Sequence, residues 1–225
     1  MTTILSELHY LPPIEVFAYY ARADSILLEA CEHYQKRSYR NRCHIVGANG
    51  VQRLSIFLAK GKNSKMPIKE VQLAFHQAWP RQHWKSIRSA YGNAPFFLYY
   101  SDAIEAIYKE KQESLWTFNV SLLNCIFELL QWDKNIHETE VYQKKYPPPV
   151  IDIRQAVLPD NLDDNEINLP DTTVEYPQIF RERHGFIGNL SILDLLFCMG
   201  PQSELYLKAY PTSKHLICQK NHLAP

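Results

Sequence analysis

The tightest constraint on this chain is a turn. Asn49-Gly50 ends the tetrapeptide Gly47-Ala48-Asn49-Gly50, which separates two strand-like runs, 40–46 and 51–58. Asn-Gly between such runs is the strongest short-range hairpin signal, because both residues tolerate the positive φ that a tight turn demands. Ser25-Ile26-Leu27-Leu28-Glu29-Ala30 is short and apolar and reads as a buried strand, and 68–73 reads as a further, weaker one. The first third is therefore expected to hold a small, mostly antiparallel sheet of about four strands.

The rest reads as helices. Pro13 stands near the first turn of a helix that ends around Asp24, and Pro80 opens another that closes near Gly92. The stripe Ile104, Tyr108, Leu115, Phe118, Leu122, Ile126 and Leu129 keeps a helical period, which predicts one long helix from Ser101 or Asp102 to Trp132. Asn189 is read as the cap of a short apolar helix, 191–199, that stops at Gly200-Pro201, with a last helix over 202–209. The expected class is α+β: the N-terminal sheet packed with a helical middle and C-terminal part, as a single domain over 1–225. Within it, 133–175 is a loop-rich segment containing Pro147-Pro148-Pro149 and four acidic residues in 160–166.

Charge and motif content exclude several functions. Lys plus Arg equal Asp plus Glu at 24 each, which argues against a nucleic-acid partner and a polybasic membrane anchor. With 7 glycines there is no P-loop or GxGxxG, and GxSxG, HExxH and DxD are also missing. No apolar run is long enough to span a membrane, and residues 1–10 lack a secretory n-region. Cys31, Cys43, Cys125, Cys198 and Cys218 are widely spaced without a CxxC pair, which points to free thiols in a cytoplasmic chain and to no metal site. No cofactor is specified.

The richest chemistry lies in 32–50. If 36–44 is extended, Lys36, Ser38, Arg40, Arg42 and His44 share one face. Cations stacked in this way need an answering anion, and the arginine fork suits phosphate or carboxylate. The segment is thus either an anion-binding strand or a solvated basic edge paired with Glu15, Glu29 or Glu32. His83 on its helix and His184 in Arg181-Glu182-Arg183-His184-Gly185-Phe186 are candidate acid–base residues. Asp194, stranded in Ile192-Leu193-Asp194-Leu195-Leu196-Phe197, is either a structural ion-pair partner or a general base. Cys31 or Cys43 as a nucleophile, with His44 or His83 as its base, is the remaining option.

Several blocks together resemble one family. Glu32-His33-Tyr34-Gln35-Lys36, Ser38-Tyr39-Arg40-Asn41-Arg42 and the Gly47–Gly50 turn are similar to the WbqC-like protein family. So are Tyr10-Leu11-Pro12-Pro13, the His83-Trp84 helix with Pro95-Phe96-Phe97, and Tyr176-Pro177-Gln178-Ile179-Phe180 followed by the His184 to Pro201 blocks. The resemblance runs over roughly 8–207. It implies a cytoplasmic bacterial protein that tailors activated sugars in surface-polysaccharide (O-antigen) biosynthesis, since members occur among such genes and some have been suggested to transfer glycine. It supplies no catalytic residues.

Chemistry and resemblance together lead to two expectations. In the first, the chain is a transferase moving an acyl, aminoacyl or glycosyl group from a phosphate- or carboxylate-bearing small molecule. Lys36, Arg40 and Arg42 would hold the donor anion, with Asn41, Asn49 and Gln178 orienting polar groups and backbone amides at Asn189 receiving an anion. His184, His83 and Asp194 would be the catalytic candidates. In the second, the chain is a non-catalytic module that binds a sugar nucleotide or a partner. A shared site further requires Asp194 to reach a basic residue of 36–44, with His184 lining the same cleft.

Overall fold

The computed structural model describes residues 2–59, 65–75, 77–159 and 174–212. Strand β1 (Thr3–Ser6) leads through α1 (Ile14–Ala21) to β2 (Ser25–Leu28). The hairpin β3 (Arg42–Gly47) and β4 (Gly50–Ser55) follows, then α2 (Trp79–Tyr91), α3 (Phe97–Lys109) and α4 (Leu115–Leu129). Strands β5 (Asn135–Glu138) and β6 (Val150–Asp152) come next, and the chain ends in α5 (Arg181–His184), α6 (Ile192–Met199) and α7 (Ser203–Ala209).

The α+β expectation stands, but the sheet is not the expected one. Four strands form a sheet in the order β5-β2-β1-β6, and every pairing is parallel. Only the hairpin is antiparallel; its Gly47↔Gly50 register leaves Ala48 and Asn49 as the turn, with Gly50 at φ 101°. Two strands come from 133–159, inside the segment read as loop. The acidic residues 160–166 lie outside the described residues. Parallel strands need a crossover of a dozen or more residues, so their partners are remote in sequence and leave no local signature.

The single long helix is also corrected. It is two helices, α3 and α4, parted by the polar run 110–113. Ser114 caps α4 by accepting from the Thr117 amide at 3.1 Å. The apolar stripe continues across the break because Tyr108 and Leu115 are two turns apart, so the pattern alone hides it. Segment 68–73 is a 3-10 turn at Ile68–Glu70 followed by isolated bridges, not a strand. Below the sheet a continuous aromatic core joins Tyr10, Phe17, Trp79, Phe118 and Phe197. Cys31, Cys43, Cys125 and Cys198 are free; Cys218 lies outside the described residues. Among the described residues no helix is long and apolar enough to cross a membrane.

Candidate functional site

Strands β1, β2 and β5 step outward on one side, and β6 returns to the other side of β1. Such a reversal opens a crevice at the carboxyl ends of the parallel strands. Each strand here delivers polar residues just past its end: Glu7 and His9 after β1, Glu29 and Glu32 after β2, Thr139 after β5, and Asp152, Arg154 and Gln155 at the end of β6. Glu7, His9, Glu29, Glu32 and Thr139 are all buried.

Two arginines answer these carboxylates. Arg40, 1% exposed, donates from Nε to Glu32 Oε1 at 2.7 Å and from Nη2 to Glu32 Oε2 at 2.5 Å, and its Nη2 lies 3.6 Å from Glu7. Arg154 donates from Nη1 to Glu29 Oε2 at 2.7 Å and also binds Asp152. Glu29 further accepts from Thr139 Oγ1 at 2.6 Å and from the Cys31 amide at 3.0 Å. The Gln155 amide, on a residue held at φ 60°, donates to both oxygens of Glu7. Burial pushes the Glu7 carboxyl up, but His9, Arg40 and the Gln155 amide outweigh it and bring it down to about 2. Glu32 is lifted by its burial despite Arg40.

In front of this network lies a cleft of about 700 Å³, a size that suits a small molecule. Cys31, Glu32, His33, Tyr34, Lys36, Arg40, Tyr142, Lys144, Asp152 and Arg154 are among its walls. Tyr142 and Tyr146 flank the Arg154 guanidinium at 5.0 and 5.5 Å, and Gln143 accepts from its Nη2 at 2.8 Å, so Arg154 pins the 142–146 loop to the sheet edge. The carboxylates in the wall are held by arginines. The lysines at the rim leave the opening cationic, and His33 stands exposed beside them.

The residues singled out from sequence fall into separate places. Lys36 and Arg40 line the cleft. Segment 36–44 is not one strand: 36–41 is turn and coil, and β3 begins only at Arg42, so the face of stacked cations does not form. Arg42 and Asn41 line a neighbouring hollow, with Asn41 Nδ2 donating to the Ile56 carbonyl at 3.1 Å. Asn49 is at the hairpin tip, where His184 Nε2 lies 3.1 Å from the Ala48 carbonyl. That tip is a strand length, about 17 Å, from Arg42.

Asp194 does not meet Arg40 or Arg42 either. It accepts from the Tyr176 hydroxyl and from Gln178 Nε2 at 2.8 Å. Burial lifts its carboxyl, since neutral donors cannot offset the lost hydration. Gln178 is spent on Asp194 and on the Ile187 backbone. The expected convergence of Asp194 and His184 on the arginines is therefore overturned, because Arg40 is already bidentate on Glu32. His83 is buried against Trp79, with Nδ1 2.8 Å from the Tyr10 hydroxyl; burial lowers its pKa to about 4. Asn189 does not cap α6, which Ser191 caps. Its Oδ1 accepts instead from the Glu15 amide at 2.9 Å, capping α1 from across the fold. Cys43 is fully buried and its thiol is pushed far up by desolvation, which removes it as a nucleophile.

Sequence reading missed Glu7, His9, His33, Tyr142, Lys144, Asp152 and Arg154; Glu29 and Glu32 it named only as possible partners of a basic edge, and Glu32 does pair with Arg40. Glu29 directly follows the apolar stretch Ile26-Leu27-Leu28, and Glu7 follows Ile4-Leu5 with only Ser6 between. A charge just past a short apolar run was the available signal. Among the described residues no group of three or more His, Cys, Asp or Glu side chains is arranged to hold a metal ion.

The chain matches the model of the WbqC-like protein family over residues 8–162. It is 26% identical over 222 residues to a Mycobacterium tuberculosis protein described as uncharacterized, covering 89% of this chain and 94% of that one. No solved structure matches the chain. The family match takes in the walls of the cleft from Cys31 to Gln155 and stops short of His184 and Asp194.

Proposed function

This chain belongs to the WbqC-like protein family, and from that premise we propose that its sheet-edge cleft binds a phosphate-activated small molecule from which the protein transfers a group. One observation carries the reading: the order of the parallel sheet reverses at β1, and a cleft with a cationic rim opens at the carboxyl ends of its strands. Lys36, Lys144 and Tyr142 line the cleft; in this reading the two lysines hold the phosphate and the tyrosine ring stacks on a sugar. His33 is the acid–base candidate, because it is the exposed imidazole among the described walls of the cleft and a neutral ring offers one donor and one acceptor nitrogen. The wider setting we propose, on the strength of the resemblance alone, is cytoplasmic tailoring of activated sugars for surface polysaccharide.

A non-catalytic binding module is the second reading, and the carboxylates favour it. Glu32 is gripped by Arg40 and Asp152 by Arg154, so neither is placed to take a proton from an acceptor. Calorimetry with glucose 1-phosphate, followed by turnover assays, tests both. Lys144→Ala is expected to weaken binding by roughly 10-fold or more, as a lost charge-assisted contact does. His33→Gln is expected to leave binding intact and abolish transfer. No effect of Lys144→Ala would overturn the cleft assignment, and transfer unaffected by His33→Gln would overturn its role as the base.

A further inference from the structure

A groove of about 420 Å³ opens between α2 and α3, and it shares no wall residue with the sheet-edge cleft. We infer that it is a second binding site, for a small amphipathic anion: an aryl or alkyl body ending in a carboxylate or a phosphate. The volume suits such a molecule. Arg81, Lys85 and Arg88 form one bank, and their spacings of four and three place them in a single stripe along α2. The other bank belongs to α3, where Lys109 holds Glu105 at 3.0 Å. Four cations and one carboxylate thus line the groove, and that excess of positive wall charge favours an anion.

The stripe does not serve the helix that carries it. Residues 79–91 contain no Asp or Glu, and Arg81 stands in the first turn, where the helix dipole favours negative charge. Arg88 suits the last turn, but Arg81 and Lys85 repel each other as like charges one turn apart. The remaining walls are apolar. Trp84 stacks on Phe97 with ring centroids 6.1 Å apart and planes 19° from parallel. Tyr108 meets Phe118 edge-on at 5.5 Å, and its hydroxyl is spent on the Tyr10 hydroxyl at 2.5 Å, so its contribution to the groove is carbon. These contacts fix both rings without a ligand, which leaves little ordering cost for binding. Inorganic phosphate would use only the cations and a neutral apolar molecule only the rings; an amphipathic anion uses both.

The test is calorimetry on the full chain with 3-phenylpropionate, octanoate and phenyl phosphate, against 3-phenylpropanol, acetate and inorganic phosphate. At least one of the first three is expected to bind about 10-fold more tightly than every one of the last three, as a charge-assisted contact added to apolar burial does. Arg88→Glu is expected to remove that advantage and to leave Lys144-dependent binding of glucose 1-phosphate unchanged. Arg88 is exposed, so the variant is expected to fold. Binding is also expected to change tryptophan fluorescence in the wild type and not in Trp84→Phe. Binding of 3-phenylpropanol as tight as that of every anion, or affinity untouched by Arg88→Glu, overturns the inference. Anion binding that is lost in Lys144→Ala instead would place the ligand in the sheet-edge cleft and overturn it equally.

Discussion

Two regions of the molecule bury carboxylates completely, and they solve the problem in opposite ways. At the sheet edge, Glu7, Glu29 and Glu32 are answered by Arg40 and Arg154. Under α6, Asp194 is answered by a tyrosine hydroxyl and a glutamine amide. Opposed full charges in a dry setting are strongly coupled and also attract or repel whatever enters nearby. Neutral donors fix a position and project little field. The first arrangement borders a cleft and the second is closed over, so the buried charge that looks most anomalous in sequence is the one with the least to do with a ligand.

Four perturbations separate these regions, beginning with the largest expected effect. Arg40→Ala strands Glu32 and Glu7 without their cation and is expected to cost about 3–5 kcal/mol in chemical denaturation. A loss no greater than that from altering Asp194 would make the two regions equivalent. The second is acid stability. Glu7 is held at about 2 against its ordinary 4.5, so the unfolded chain takes up its proton first as pH falls. Its contribution, about 3 kcal/mol, is complete above pH ~4.5 and is lost towards pH ~2. Glu7→Gln should remove that part of the slope. Asp194 has the opposite sign: its raised pKa means stability is lost as pH rises through it, and Asp194→Asn should flatten that limb.

The two smallest effects lie on the neutral side. Asn189→Gly keeps a residue suited to φ 51° while deleting the cap on Glu15, and is expected to cost about 1 kcal/mol in melting experiments. Asp194→Asn at neutral pH should change stability by less than about 1 kcal/mol, because the amide oxygen still accepts from Tyr176 and Gln178. A loss of several kcal/mol there would mean that its charge matters as Arg40's does.

Legibility from sequence followed the range of the interactions involved. The hairpin around Gly47 and Gly50, α1, α2, α6 and α7 are specified by local signals: a turn dipeptide, a proline near the first turn, a glycine at the end. The family blocks were legible too. The four parallel strands are three or four residues long, and three of them escaped notice, because Thr3–Ser6, Asn135–Glu138 and Val150–Asp152 show no alternation and find their partners far along the chain. The site was lost with the sheet, since Glu7, Glu29 and Arg154 acquire meaning only as the ends of adjacent strands. Asp194 misled because its need for a partner was legible while the partner's identity was not. Tyrosine and glutamine satisfied it as well as an arginine would have.

The reversal of strand order at β1 also sets a timetable. β1 waits for β6, whose partner positions are separated from it by roughly 150 residues, as Thr3 pairs with Val150. Local helices and the hairpin need no such closure, and contacts that span most of a chain form late because the loop they close is long. During synthesis the hairpin, α2, α3 and α4 have all emerged before Arg154 exists to meet Glu29. Until then the carboxylates of β1 and β2 lie at an open edge with Arg40 as their counter-ion. The cleft is thus completed only when β6 arrives, and a chain truncated before β6 would keep its hairpin and lose one wall of the cleft.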